Sequence, residues 1–185
     1  TLRGKFRQSK DEAEKEKLTE KMKAVQARGE AYEDKFIAEH PDALLSAVIR
    51  LRRDPEVPDS ITDNREKYFY FKDHYFDGLD FCDYRLLRTP VLEPRLEYYF
   101  DKLVAKSPDS IVAEAERLSE RARCDSNMFE YFVKYFFNEY ATSKIMCMDK
   151  MLVFMAENYY LNCEAWWYCE MEDTANFDKL QKRYL

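Results

Sequence analysis

With 185 residues, 46% of them hydrophobic, the chain is long enough to bury a core without a metal or a disulfide to staple it. Its three glycines, Gly4, Gly29 and Gly78, are too few for the turns of a β-sandwich or the phosphate loops of a Rossmann sheet, which leaves helices joined by short connections. A formal net charge of −6 runs against nucleic-acid binding, which needs a positive surplus, and no apolar run is long enough to span a bilayer.

Residues 1–17 read as a polar lead-in or the start of a long helix, and the basic residues within it, Arg3, Lys5, Arg7 and Lys10, read as a solvated tail. From Leu18 a narrow stripe, Leu18, Met22, Val25, Gly29, Tyr32 and Phe36, steps by four and three along one face of a long helix. Gly29 on that stripe is expected to let a neighbouring backbone come close. The stripe suits packing within the chain or across a dimer. The helix should end near Glu39, because His40 precedes Pro41 and that position disfavours the α region. Pro41 and Asp42 are expected in the first turn of a second helix carrying Leu44, Leu45, Val48, Ile49 and Leu51.

Ser60 to Asn64 supplies cap candidates for a third helix, Tyr68 to about Phe76, nearly apolar all round and closed by Gly78. A loop from Asp80 to Pro94 precedes a fourth helix, Val91 or Leu92 to Ala105, with Leu92, Leu96, Tyr99 and Leu103 on one face. Ser107-Pro108-Asp109 starts a fifth helix, and Asp125-Ser126 caps a sixth, whose face is Phe129, Phe132, Val133, Phe136 and Tyr140. A seventh spans roughly Met148 to Tyr160. A short turn around Trp166-Trp167 leads to a last helix, Asp173 to Tyr184, with Phe177 and Leu180 inward. His40-Pro41-Asp42 followed by Arg50-Leu51 is echoed by Ser107-Pro108-Asp109 followed by Arg117-Leu118, as two stacked helical hairpins would require. The expected fold is all-α: about eight helices packed as antiparallel hairpins in a bundle or short helical-repeat array, forming a single domain over 18–185.

No chemistry-bearing pattern emerges. Neither His40 nor His74 follows a glutamate by three residues, so the Glu-x-x-His pairs of a di-iron bundle are absent. Two histidines and scattered cysteines give no zinc spacing, and there is no G-x-S-x-G, glycine loop or nucleotide fingerprint. Asp77 with Asp80, and Asp73 with His74, read as chance pairs in an acidic chain and as a histidine at the edge of the core. The five cysteines, Cys82, Cys124, Cys147, Cys163 and Cys169, contain no C-x-x-C pair. Cys163 and Cys169 on one helix would lie about 9 Å apart, too far for a bridge. Free, mostly buried thiols are the expectation. No catalytic, cofactor or metal site is expected.

The candidate interaction surface is Asp80, Phe81, Arg85, Arg88, Thr89 and Pro90 in the loop, joined by Tyr159, Tyr160, Trp166 and Trp167. Arg85 and Arg88 suit bidentate recognition of a carboxylate on another segment; the competing reading pairs them locally with Asp80 and Asp83 or with helix ends. The two tyrosines and two tryptophans line a ligand pocket or pack the last helix onto the bundle.

Several blocks carry a resemblance: Phe76-Asp77-Gly78-Leu79-Asp80-Phe81, Arg85-Leu86-Leu87-Arg88-Thr89-Pro90-Val91-Leu92, Tyr99-Phe100-Asp101-Lys102-Leu103, Ser107-Pro108-Asp109-Ser110-Ile111, and Ser143-Lys144-Ile145-Met146 to Tyr159-Tyr160. Over roughly Glu30 to Leu185 the chain resembles a helical domain of unknown function in cell-envelope proteins of the Bacteroidetes. That domain typically lies ahead of a thioredoxin-like domain of the thiol–disulfide oxidoreductase or peroxiredoxin type. The resemblance implies an exported parent protein, periplasmic or lipid-anchored, whose redox chemistry belongs to a W-C-x-x-C motif outside these residues. The opening at Thr1, within polar sequence, is expected of a piece of such a longer protein. Cys147 stands where a small residue such as glycine is expected, so no redox role is carried over to it. The resulting expectation is a non-catalytic module that positions the adjoining thioredoxin-like domain or presents partners to it. The alternative is an independent peptide- or protein-binding helical-repeat scaffold.

Overall fold

A computed structural model describes the backbone of residues 12–143 and 148–169, with side chains from Lys15 to Tyr168. Among these residues every regular element is helical and there are no strands. No helix among them is long and apolar enough to cross a membrane. The basic residues Arg3 to Lys10 and the expected last helix lie outside the described residues. The chain divides into two compact units, Thr1–Arg50 and Leu51–Leu185.

The first unit is dominated by α1 (Glu12–Glu39). It stops at the residue before His40, as the Pro41 rule requires, and it takes in Glu12 to Lys17, so these residues are the start of the long helix and not a polar lead-in. Glu, Lys and Ala are strong helix formers, and Glu12 to Lys17 contain little else. Along the stripe Leu18 is buried and Met22 and Phe36 are half-buried, while Val25 and Tyr32 are exposed. A Cβ at Gly29 would meet nothing within 4 Å, so the close backbone approach expected there is not made. Pro41 to Ala43 form a turn, with the Ala43 N–H donating to the His40 carbonyl at 3.2 Å, and α2 (Leu44–Arg52) starts only after it. Ser46 Oγ bonds the same His40 carbonyl, and Arg50 Nη1 reaches the Pro41 carbonyl at 3.2 Å. Pro41 therefore precedes the second helix instead of opening it, and Ser46 takes up the exposed carbonyl of the turn.

In the second unit three helix starts follow local chemistry. The Asp63 carboxylate accepts from the backbone N–H groups of Arg65 and Glu66 and starts α3 (Asn64–Asp73), four residues ahead of the expected start. No residue of α3 is buried. The expectation of a helix apolar all round is wrong because the two rings that enter the core, Tyr75 and Phe76, lie past its His74 cap. Gly78 does not take a left-handed φ and closes no helix. Leu92–Tyr98 form α4, extended by a π turn over Tyr99–Leu103. The wider turn leaves Tyr99, Phe100 and Leu103 all buried. Ser107 caps α5 (Pro108–Arg121) with proline in its first turn, and Asp125 caps α6 (Ser126–Ala141) through the N–H groups of Asn127 and Met128. A 3₁₀ turn, Ala122–Cys124, joins these two into a hairpin. α7 (Asp149–Met155) also continues into a π turn, Ala156–Tyr160, and α8 (Trp166–Cys169) is a single short turn.

α6 is the hub of this unit, packing against α5, α7 and the 3₁₀ turn Tyr84–Arg88. Its fully buried Phe132 and Phe136 belong to a chain of ring contacts. Phe132 stacks on Phe81 at 5.6 Å, Phe81 meets Phe76, Phe76 meets Tyr99 at 4.8 Å, and Phe100 meets Phe136 edge-on at 5.1 Å. Offset and edge-to-face pairs of this kind each add about 0.5–1.5 kcal/mol to their area burial. Arg95 of α4 staples the edge of the cluster. Its guanidinium lies 3.8 Å from the Tyr75 ring centre and bonds Asp54 Oδ1 and the carbonyls of Arg53 and Tyr75.

A polar network enters the core beside Tyr99. The Tyr99 hydroxyl donates to Glu114 Oε2 at 3.1 Å and accepts from Arg117 Nη2 at 2.9 Å, while Lys72 of α3 pairs with Glu114 Oε1. Burial pushes the Glu114 carboxyl up, but the hydrogen bonds and charges of Lys72 and Arg117 outweigh it, and the group titrates below the ordinary carboxylate value. A depressed folded-state pKa stabilises the fold above the unfolded value near ~4.3 and is lost as pH falls through the folded value. Urea unfolding between pH 7 and pH 3 should therefore show a steeper loss of stability for the wild type than for Glu114→Gln. Parallel pH profiles would remove this carboxylate as a source of acid sensitivity.

Candidate functional site

The loop from Asp80 to Pro90 is built from the backbone outward. Asp80 Oδ1 accepts the Cys82 N–H at 2.9 Å, and Asp83 accepts the Arg85 N–H at 3.1 Å, starting the 3₁₀ turn Tyr84–Arg88. Thr89 ends that turn, its hydroxyl and its N–H both donating to the Leu86 carbonyl. Leu86 is fully buried. Phe81 is 5% exposed, stacked on Phe132, with the Arg121 guanidinium 4.0 Å from its ring centre. Phe81 is thus a core anchor of the loop and not part of its outer face.

Cys82 and Cys124 form a disulfide, with a Cα–Cα distance of 5.4 Å. This overturns the expectation of free, buried thiols: both residues are exposed, and the bridge ties the loop to the turn between α5 and α6. Cys163, with a left-handed φ of 56°, is also disulfide-bonded. The sequence carries no spacing signal for a pair 42 residues apart, because tertiary packing alone brings these two positions together.

The two loop arginines are placed differently. Arg85 grips Asp83 in a fork, Nε to Oδ1 at 2.7 Å and Nη2 to Oδ2 at 2.8 Å. The Arg85 hydrogen bonds hold the Asp83 carboxyl below its ordinary value against the opposing effect of burial. Arg85 is the local pair that the competing reading describes. Arg88 is exposed, lies 5.9 Å from the Tyr84 ring centre, and makes no ion pair among the described residues. Tyr84, which the sequence did not single out, is 43% exposed beside it.

The other four candidates lie beyond the α5–α6 turn. Tyr159 and Tyr160 are buried, and burial pushes each hydroxyl up to about 12. They are core residues and offer no ligand surface. The Trp167 ring meets Phe129 at 6.1 Å with the Lys134 ammonium 5.5 Å away, whereas Trp166 is 44% exposed. The turn itself links the two groups. Cys124 holds the loop, and Arg123 bonds Glu120 and Glu164 with its guanidinium 4.7 Å from the Phe129 ring centre. The ten candidates therefore separate into an anchored loop presenting Asp80, Arg88 and Pro90, the buried Tyr159 and Tyr160 with a half-buried Trp167, and an exposed Trp166. His74 contacts Asp77 at 2.6 Å on the surface, and Asp73 is not its partner.

Loop closure across 42 residues restricts the unfolded chain by roughly 4 kcal/mol in the entropic treatment. Replacing Cys82 and Cys124 together by alanine should lower unfolding free energy by about 2–4 kcal/mol in denaturant titrations. An unchanged midpoint and slope would mean that ring stacking alone holds the loop.

Comparison with curated proteins and with solved structures finds no match. A family model described as a domain of unknown function (DUF5106) matches residues 7–181. The match embraces the anchored loop, the α5–α6 hairpin and the aromatic core, and the chain belongs to this DUF5106 family.

Proposed function

We propose that the chain is a non-catalytic helical module of a cell-envelope protein, which positions an adjoining thioredoxin-like domain or presents partners to it. The observation that carries this reading is the Cys82–Cys124 bridge. Disulfides form and persist in oxidising compartments, which supports a periplasmic or envelope location. The neighbour is supplied by the sequence resemblance, which couples this kind of domain to a redox domain.

The contact surface in this reading is the outer face of the clamped loop. A surface held in its bound shape loses little conformational freedom on association. Exposed tyrosine and arginine are the side chains that most often dominate such contacts. Tyr84 and Arg88 meet both conditions, whereas Arg85 is already engaged by Asp83. Replacing Arg85 would therefore disturb the loop as well as any contact.

The test uses the longer chain containing whatever follows Leu185. Hydrogen exchange should show residues 82–90 protected when the following domain is present, and Tyr84→Ala with Arg88→Ala should remove that protection and weaken association about 10–100-fold. A parent sequence with no thioredoxin-like domain, or protection that survives both substitutions, would sink the reading. In the first case the independent scaffold becomes the better account.

A further inference from the structure

A cleft of about 330 Å³ opens on the second unit where α4, α5 and α6 approach one another. Phe100 of the π turn and Ile111 of α5, both buried, supply its apolar lining. Tyr135 and Tyr140 of α6 add half-buried rings, and Glu97 and Glu139 bring carboxylates from α4 and α6. A carboxylate–lysine pair, Asp101 with Lys106 at 2.9 Å, closes one side.

The cleft is unbalanced in charge. Its one lysine is engaged by Asp101, whose carboxyl is held down to about 2 by hydrogen bonds from Lys102 and Lys106. Glu97 and Glu139 make no ion pair among the described residues. The rings extend beyond the cleft: Tyr131 stacks on Tyr135 with centroids 6.0 Å apart and planes at 22°. Glu93 lies one helical turn from Glu97 on α4 and is also without an ion pair among the described residues. Burial first, then Glu93 and Glu97, push the Tyr131 hydroxyl up to about 12, and burial with Glu139 and Glu97 raises Tyr135 further.

We propose that this cleft is a binding site for a basic side chain, best an arginine, presented by a segment of a partner protein. An aromatic face attracts a cation through its quadrupole, and a planar guanidinium can stack on tyrosine while forking onto a carboxylate. The cleft offers both, with two carboxylates that lack a cation and an apolar floor for the methylene stem. An acidic or phosphorylated segment would meet repulsion from Glu97, Glu139 and Asp101, and a purely apolar one would leave those carboxylates desolvated without compensation. The site lies on elements other than the clamped loop, so the inference does not depend on an adjoining redox domain.

The test is an NMR titration of this chain with the tripeptides Ala-Arg-Ala, Ala-Leu-Ala and Ala-Glu-Ala, blocked at both ends. Ala-Arg-Ala should shift the amide resonances around Glu97, Tyr135 and Glu139 saturably, with an affinity that falls as salt rises. The other two should not. Glu97→Gln with Glu139→Gln, both at exposed positions, should weaken Ala-Arg-Ala by at least about fivefold. The same substitutions should leave the far-ultraviolet circular dichroism unchanged. Equal responses to the arginine and leucine peptides, shifts scattered over other acidic surfaces, or an unaltered affinity in the folded double variant would overturn the proposal.

Discussion

The stacking of Phe81 on Phe132 joins two things that sequence keeps apart, an exposed loop and the central helix of the second unit. Loops of this length normally have few apolar anchors and correspondingly low local stability. Here one ring passes from the loop into the core, and on either side of it the constraints accumulate. Leu86 is buried five residues later, Cys82 is bridged to Cys124, and Arg121 places its guanidinium near the same ring. Because Phe132 also contacts Phe136, a change at Phe81 would be felt along α6 toward Phe100 and the π turn.

That arrangement assigns different work to side chains of one type. Among the described residues most large rings are buried or half-buried, and Tyr32, Tyr68, Phe69, Tyr84, Tyr98 and Trp166 are exposed. Arginines divide in the same way. Arg95 and Arg117 satisfy buried carbonyls and hydroxyls, Arg85 and Arg123 hold carboxylates within the unit, and Arg88 remains at the surface without an ion pair among the described residues. Residue type alone therefore overstates the surface available for binding.

The loop and the cleft differ in chemistry. Arg88 lies beside Tyr84 on the loop and Arg121 lies against Phe81, while the cleft between α4 and α6 is acidic and tyrosine-lined. Both draw on α5 or α6, and the Ala122–Cys124 turn links those helices.

Much of the fold was legible in the sequence because its signals are local. Asp63, Ser107-Pro108 and Asp125 sit within three residues of the N–H groups they satisfy, Pro41 limits the residue before it, and the scarcity of glycine excludes sheet architectures. Periodicity also placed Phe129, Phe132, Val133 and Phe136 on the core side of α6. The site was less legible. Whether Arg85 or Arg88 faces outward depends on which of them Asp83 captures, and burial of Phe81, Tyr159 and Tyr160 depends on partners far along the chain. The pairing of Cys82 with Cys124 and the meeting of Glu97 with Tyr135 and Glu139 have no local signature, since each joins segments separated by tens of residues. Helix identity is set by hydrogen bonds within a turn and can be read residue by residue; which surfaces stay outside is set by packing, and only the tertiary structure decides it.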